Sequence, residues 1–125
     1  MDKVNAAFEV LIGLAAVDGD IDDREIEVIS NFLQANYGQI NFDPNAVVNT
    51  LQALTGEGLV EEIGHAAGVI KQTCSAAERT AVLDFGLQLI AADGVLDENE
   101  KRLFGLLAHA WGIDLQAYLQ QRLGG

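Results

Sequence analysis

The sequence predicts an all-α protein of about seven helices, and three observations carry that expectation. Apolar residues recur at spacings of three and four rather than in alternation, the signature of helices with one face turned inward. A single proline stands among 125 residues, so little interrupts such helices. An eight-residue pattern, Asp-Gly-x-aliphatic-Asp-x-x-Glu, is written twice, at 18–25 and 93–100, so its copies lie 75 residues apart. The similarity extends outward: Leu14-Ala15-Ala16 faces Leu89-Ile90-Ala91, and Val28-Ile29 faces Leu103-Phe104. The chain therefore reads as one unit, 1–125, in which two helix-turn-helix hairpins with acidic Asp-Gly turns flank two intervening helices.

The first helix begins near Lys3 and places Val4, Phe8, Leu11, Ile12 and Ala15 on one face. Gly19 ends it, because glycine adopts the left-handed conformation of a helix C-terminus without a Cβ penalty. Asp22 then fits an N-cap, and Glu25, three residues on, completes a capping box. The second helix buries Ile26, Ile29, Phe32 and Leu33, turns Asp23, Arg24 and Glu27 outward, and stops at Gly38. Asp43-Pro44 starts the third, with Asp as cap and Pro where its missing N–H costs nothing; this helix runs to about Thr55.

Thr55-Gly56-Glu57-Gly58 breaks the chain before a fourth helix over 59–73, with Val60, Ile63, Ala67 and Ile70 inward. Gly64 and Gly68 read as a smooth face for close helix packing. Ser75-Ala76-Ala77-Glu78 is a second capping box and opens the longest and most apolar helix, 76–92, with Val82, Phe85, Leu89 and Ile90 as central core. The sixth helix follows Asp97, turns Leu103, Leu107, Ala110 and Trp111 inward and stops at Gly112. Asp114 caps a seventh over 115–123, which buries Leu115, Tyr118 and Leu119 before a frayed tail.

Nineteen acidic against seven basic residues give a net charge of −12, a field that repels phosphate backbones and attracts cations or basic partners. Nucleic-acid binding is disfavoured. Cys74, the single cysteine, makes no internal disulfide, and no basic-then-apolar signal segment opens the chain, so the expected compartment is the cytoplasm. Asp84 and Gln88 interrupt the most hydrophobic stretch, and membrane insertion is not expected. His65 and His109 each stand alone beside small residues and read as partly buried polar positions; no spacing supports zinc. Cys74 precedes a helix that could stabilise a thiolate, but nothing supplies it with a base, and Gly56-Glu57-Gly58 lacks the lysine of a phosphate loop. No nucleophile constellation is present. Trp111 reads as core.

The repeated acids admit two readings. Ordinary capping accounts for Asp22, Glu25, Asp97 and Glu100. It does not account for Asp18 and Asp93, which close a helix where the negative end of the macrodipole disfavours a carboxylate by ~0.3–1 kcal/mol. Either each folds over to accept N–H groups of the turn, or a cation sits there. Asp18, Asp22, Glu25, Asp93, Asp97 and Glu100 form an all-oxygen donor set suited to Ca²⁺ or Mg²⁺. The spacing is not that of an EF-hand, because the sixth place is Asp23 rather than Gly and the twelfth is Ile29 rather than Glu. If the hairpins pack about a twofold axis the six carboxylates converge, and such a cluster repels itself unless cations neutralise it.

Ala15-Ala16-Val17-Asp18-Gly19 with Glu25, and Ala91-Ala92-Asp93-Gly94 with Glu100, resemble the TerB-like family associated with tellurite resistance, as does the ending Trp111-Gly112-Ile113-Asp114. The resemblance spans most of the chain. It implies a helical domain of roughly seven helices with an acidic, divalent-cation-binding face, acting in bacterial stress response without known catalysis. Asp18, Gly19, Glu25, Asp93, Gly94 and Glu100 match the family motif. Asp22 and Asp97 stand where members often carry Ser, Thr or Asp, which favours a capping role for those two. Family members fused to membrane-associated co-chaperones imply a peripheral position at the inner membrane through partners. Tellurite is an oxyanion that so acidic a face should not bind, so a resistance role would be indirect.

The first expectation is thus a non-enzymatic TerB-like module that holds a divalent cation in its paired turns. The alternative is a protein-interaction adaptor whose acidic surface meets basic stress-response partners and whose acids need no physiological metal.

Overall fold

The computed structural model describes residues 2–16, 23–38, 40, 42–54, 56–90 and 98–124. Among them are seven α-helices and no strand: α1 (Lys3–Ala16), α2 (Asp23–Tyr37), α3 (Pro44–Gln52), α4 (Gly56–Thr73), α5 (Ala76–Ile90), α6 (Glu98–Ala110) and α7 (Leu115–Leu119), which runs on into a π-helical turn, Gln120–Gly124. The all-α expectation holds.

The caps read from the sequence are in place wherever they fall on described residues. Asp43 Oδ1 accepts the Asn45 N–H at 3.0 Å ahead of Pro44. Ser75 and Glu78 exchange their capping-box bonds, at 3.0 and 3.2 Å. Asp114 Oδ1 accepts the Ala117 N–H at 3.2 Å. Gly38 and Gly112 end α2 and α6 with φ of 83° and 68°, values that bulkier residues rarely adopt. The caps assigned to Asp22 and Asp97, and the turn glycines Gly19 and Gly94, lie outside the described residues.

The core is organised around α1, which packs against α2, α3, α4, α5 and α6. Its expected single stripe is not what forms. Ala6, Ala7, Phe8, Val10, Leu11, Ile12 and Leu14 are all buried, and so is Glu9, because neighbours surround the helix on every side. Val4 and Ala15 are only partly buried. Asp2 Oδ1 accepts the Asn5 N–H at 2.8 Å and caps its start.

Other expectations are corrected. The longest helix is α4, with 18 residues, not α5, with 15. Helix α4 begins three residues early, through Gly56-Glu57-Gly58, and α3 ends correspondingly early at Gln52. Val60 is 47 % exposed rather than inward. On α5 the buried residues among those whose burial is described are Val82, Leu83, Gly86 and Leu87, whereas Phe85 and Leu89 are half-buried; the burial expected of Ile90 lies outside them. The helix is apolar on several faces, so composition did not select the one that packs. Gly64 and Gly68 have open space where a Cβ would stand; the close approaches are at Gly13, where a Cβ would lie 2.5 Å from Ile63 Cδ1, and at Gly86, 2.8 Å from Leu14 Cδ1. On α6, Ala110 is half-buried while Phe104 and Ala108 join Leu103, Leu107 and Trp111 inside. Leu115 and Leu119 are partly buried beside buried Tyr118.

Helices α1 and α5 lie side by side, parallel and in repeat register. Lys3 Nζ meets Glu78 Oε2 at 3.2 Å, and a Cβ on Gly86 would lie 3.5 Å from Leu11 Cδ2. Both contacts join positions 75 residues apart, the period of the repeat. The two helices therefore run the same way and end on the same side of the bundle, each at the start of one acidic octet.

Candidate functional site

Helices α2 and α6 begin within the two octets and carry Asp23 with Glu25, and Glu98 with Glu100, in their first turns. A carboxylate there is favoured by the positive end of the helix dipole. Glu25 and Glu100 each occupy the third position of their helix. Residues one turn on, Ile29 and Phe104, are fully buried and fix each helix start against the core. The two glutamates differ in burial: Glu25 is half-buried and Glu100 only 7 % exposed.

Asp18, Asp22, Asp93 and Asp97 lie outside the described residues, and with them the question of whether six carboxylates converge. Among the described residues no three acid, histidine or cysteine side chains stand close enough to hold a metal ion. Glu25 and Glu100 are thus the part of the predicted donor set that the structure places, one at each helix start that follows the parallel pair α1 and α5.

Three polar groupings escaped the sequence reading. On α1, Glu9 is 6 % exposed; burial first, then hydrogen bonding and repulsion from Glu62 of α4, push its carboxyl up to about 7. Glu62 also lines an open cleft of about 440 Å³ with Leu54, Gly58, Glu61 and His65. On α5, Asp84 accepts from the Tyr118 hydroxyl and, at 2.8 Å, from Arg122 Nε. The Arg122 guanidinium lies 4.9 Å from the Tyr118 ring centre. Burial, followed by the Asp84 carboxylate, holds the Tyr118 phenol well above its ordinary range. At the other end of α5, Glu78 binds Lys3, which also lies 5.6 Å from the Tyr37 ring centre.

The isolated candidates resolve simply. Cys74 is buried, and that burial raises its thiol rather than stabilising a thiolate. His65 and His109 are exposed, not partly buried, because each falls on an outer helix face. Trp111 is core, its Nε1–H donating to the Ala67 carbonyl at 2.9 Å. No helix among the described residues is long and apolar enough to cross a membrane.

Searches of curated proteins and of solved structures return no match. Residues 5–123 match the model of the family described as tellurite resistance protein TerB. That span covers both acidic octets, all the helices between them and the Trp111-Gly112-Ile113-Asp114 exit. The chain belongs to the TerB family.

Proposed function

We propose that this TerB family member is a non-enzymatic, stress-response module that binds a divalent cation, Ca²⁺ or Mg²⁺, through Asp18, Asp22, Glu25, Asp93, Asp97 and Glu100. The supporting observation is the parallel, in-register pairing of α1 with α5, through Lys3–Glu78 and Leu11–Gly86, which sends the two octets off from neighbouring helix ends. Carboxylates gathered there repel one another, and a hard cation with an oxygen shell relieves the repulsion. The family's association with tellurite resistance then operates through metal ions or protein partners rather than through capture of the oxyanion.

Thermal unfolding of chelator-stripped protein, with Ca²⁺, Mg²⁺, Mn²⁺ or Zn²⁺ titrated in, tests this reading. A native-state ligand at 100 times its Kd adds roughly 2.7 kcal/mol, a shift of several degrees for a chain of this size. The expected result is a saturable shift, specific to one cation and absent from an Asp18→Asn, Asp93→Asn double variant. A shift reproduced by monovalent salt would sink the metal reading. It would leave the adaptor reading, for which Val28, 46 % exposed on α2, and Val60, 47 % exposed on α4, offer apolar contacts on a surface of net charge −12.

A further inference from the structure

Helix α4 packs against both α1 and α6 and lies in the groove between them. Its inner stripe is Ile63, Ala66, Ala67 and Ile70, all fully buried and spaced i, i+3, i+4 and i+7. Gly13 of α1 admits Ile63 closely, and Trp111 of α6 donates to the Ala67 carbonyl at 2.9 Å. The 75-residue repeat matches α1 with α5 and α6 with α2, so the counterpart of this filled groove is the one between α5 and α2.

That second groove is present and open. Phe32 of α2 stacks on Phe85 of α5, ring centres 4.0 Å apart, and joins its two walls. Beside this stack a cleft of about 220 Å³ is lined by Phe32, Asn36, Tyr37, Ala77, Glu78 and Ala81. Matched positions show what covering by α4 changes. Leu103 is 8 % exposed and its counterpart Val28 46 %; Ala6, Val10 and Leu107 are fully buried, whereas Ala81, Phe85 and Phe32 are half-buried. Gln88 and Asn36, both exposed, replace Gly13 and Trp111. These two polar side chains suit a groove that stands in water between encounters.

We propose that the α2–α5 groove docks an amphipathic helix of a partner protein, seated as α4 is seated in the matching groove. The incoming helix carries small and branched apolar residues at i, i+3, i+4 and i+7 and a net positive charge. Around the groove Glu27, Glu78 and Asp84 are set against Arg24, Lys3 and Arg122, so local charge does not choose between a second copy and a foreign helix. The net charge of −12 does, because it repels another copy and steers a basic partner inward. Docking here uses the flanks of α2 and α5 rather than the acidic turns, and loss of cation binding would leave it intact.

The probe is a synthetic peptide of residues 56–73, the α4 sequence, carrying Glu57→Lys, Glu61→Lys and Glu62→Lys to make it cationic. Titrated into the ¹⁵N-labelled chain, it should give saturable amide shifts at Val28, Phe32, Ala77 and Ala81 while Gly13 and Leu107 of the filled groove stay unmoved. Val28→Gln combined with Ala77→Gln, at two exposed sites, should weaken binding by roughly tenfold and leave the rest of the amide spectrum native. The unsubstituted peptide should bind more weakly than the cationic one. Absence of saturable shifts in the native protein would overturn the proposal, and this arm requires no variant to fold. Shifts scattered over the acidic surface and unchanged in the double variant would do the same, as would shifts at Gly13 and Leu107, which would mean that the peptide displaces α4. Equal binding of the two peptides would defeat the basic partner. Sedimentation of the native chain should show a monomer; a dimer abolished by the double variant would seat a second copy in the groove and overturn the foreign helix.

Discussion

Phe8 on α1 and Leu83 on α5 occupy the same place in the 75-residue repeat and both are fully buried, yet their helices have different surroundings. At the next position the repeat has Glu9 and Asp84. Glu9 is enclosed and faces another acid; Asp84 sits at the side of the bundle, where the C-terminal segment brings it a phenol and a guanidinium. Six positions on from Phe8 and Leu83, Leu14 is fully buried and Leu89 half-buried. Repeating a sequence thus repeats a helix and its register but not its neighbours. The first copy became the axis of the core, and the second leans on it.

The largest expected effect tests that asymmetry. Leu14→Ala should cost about 3–5 kcal/mol, since it removes a side chain from the junction of α1 with α5 and leaves a cavity there. Leu89→Ala, at the matching position, should cost about half as much, because solvent already reaches that side chain. Urea unfolding of both variants measures the difference. Equal losses would mean that the two helices are equally central and would break the comparison.

A smaller effect concerns the acid pair. Asp84→Ala strips the Tyr118 hydroxyl of its acceptor and frees Arg122, and should cost ~1–2 kcal/mol, discounted because the pair is partly exposed. Asp84→Asn should recover most of that loss by restoring an acceptor. If the Asn variant were as damaged as the Ala variant, charge rather than the hydrogen bond would carry the contact.

Much of the fold was legible from residues that act locally. Asp43-Pro44, Ser75 with Glu78, Gly38, Asp114 and Gly112 set helix ends by capping chemistry that needs no tertiary partner. Faces were legible where one side alone is apolar, as on α2, where Ile29 and Leu33 are buried and Asp23, Arg24 and Glu27 are exposed. They were not legible on α1, which has no outer face, or on α5, whose apolar residues outnumber its buried positions. Gly64 and Gly68 misled because a small residue on a helix marks close packing only when something lies against it, and among the described residues no atom comes within 4 Å of where either Cβ would stand. Of the candidate site, the motif fixed the helix-start positions of Glu25 and Glu100, while four aspartates fall outside the described residues. Glu9 was missed because a one-stripe reading turns every polar residue outward. The one available signal was its isolation as a lone charge within the apolar stretch 6–16.

The smallest effect separates two ion pairs that, among the described residues, bind α5 to the rest of the bundle. Lys3–Glu78 joins repeat-equivalent positions of α1 and α5, while Arg122–Asp84 ties α5 to the π-helical turn that follows α7. Arg122 and Asp84 are each more than a third exposed, so screening leaves their Coulomb term small, and stacking of the guanidinium over Tyr118 adds to it. Arg122→Ala should therefore lower Tm by only about 1–3 °C, with part of that change disappearing as salt is raised. Arg122→Lys should recover the charge but not the planar stacking. Amide exchange should quicken over 115–124 in the Ala variant while α1 keeps its protection. If α1 were to lose protection as well, the C-terminal segment would be coupled to the central helix through α5, and the difference between the two halves would be one of degree rather than of role.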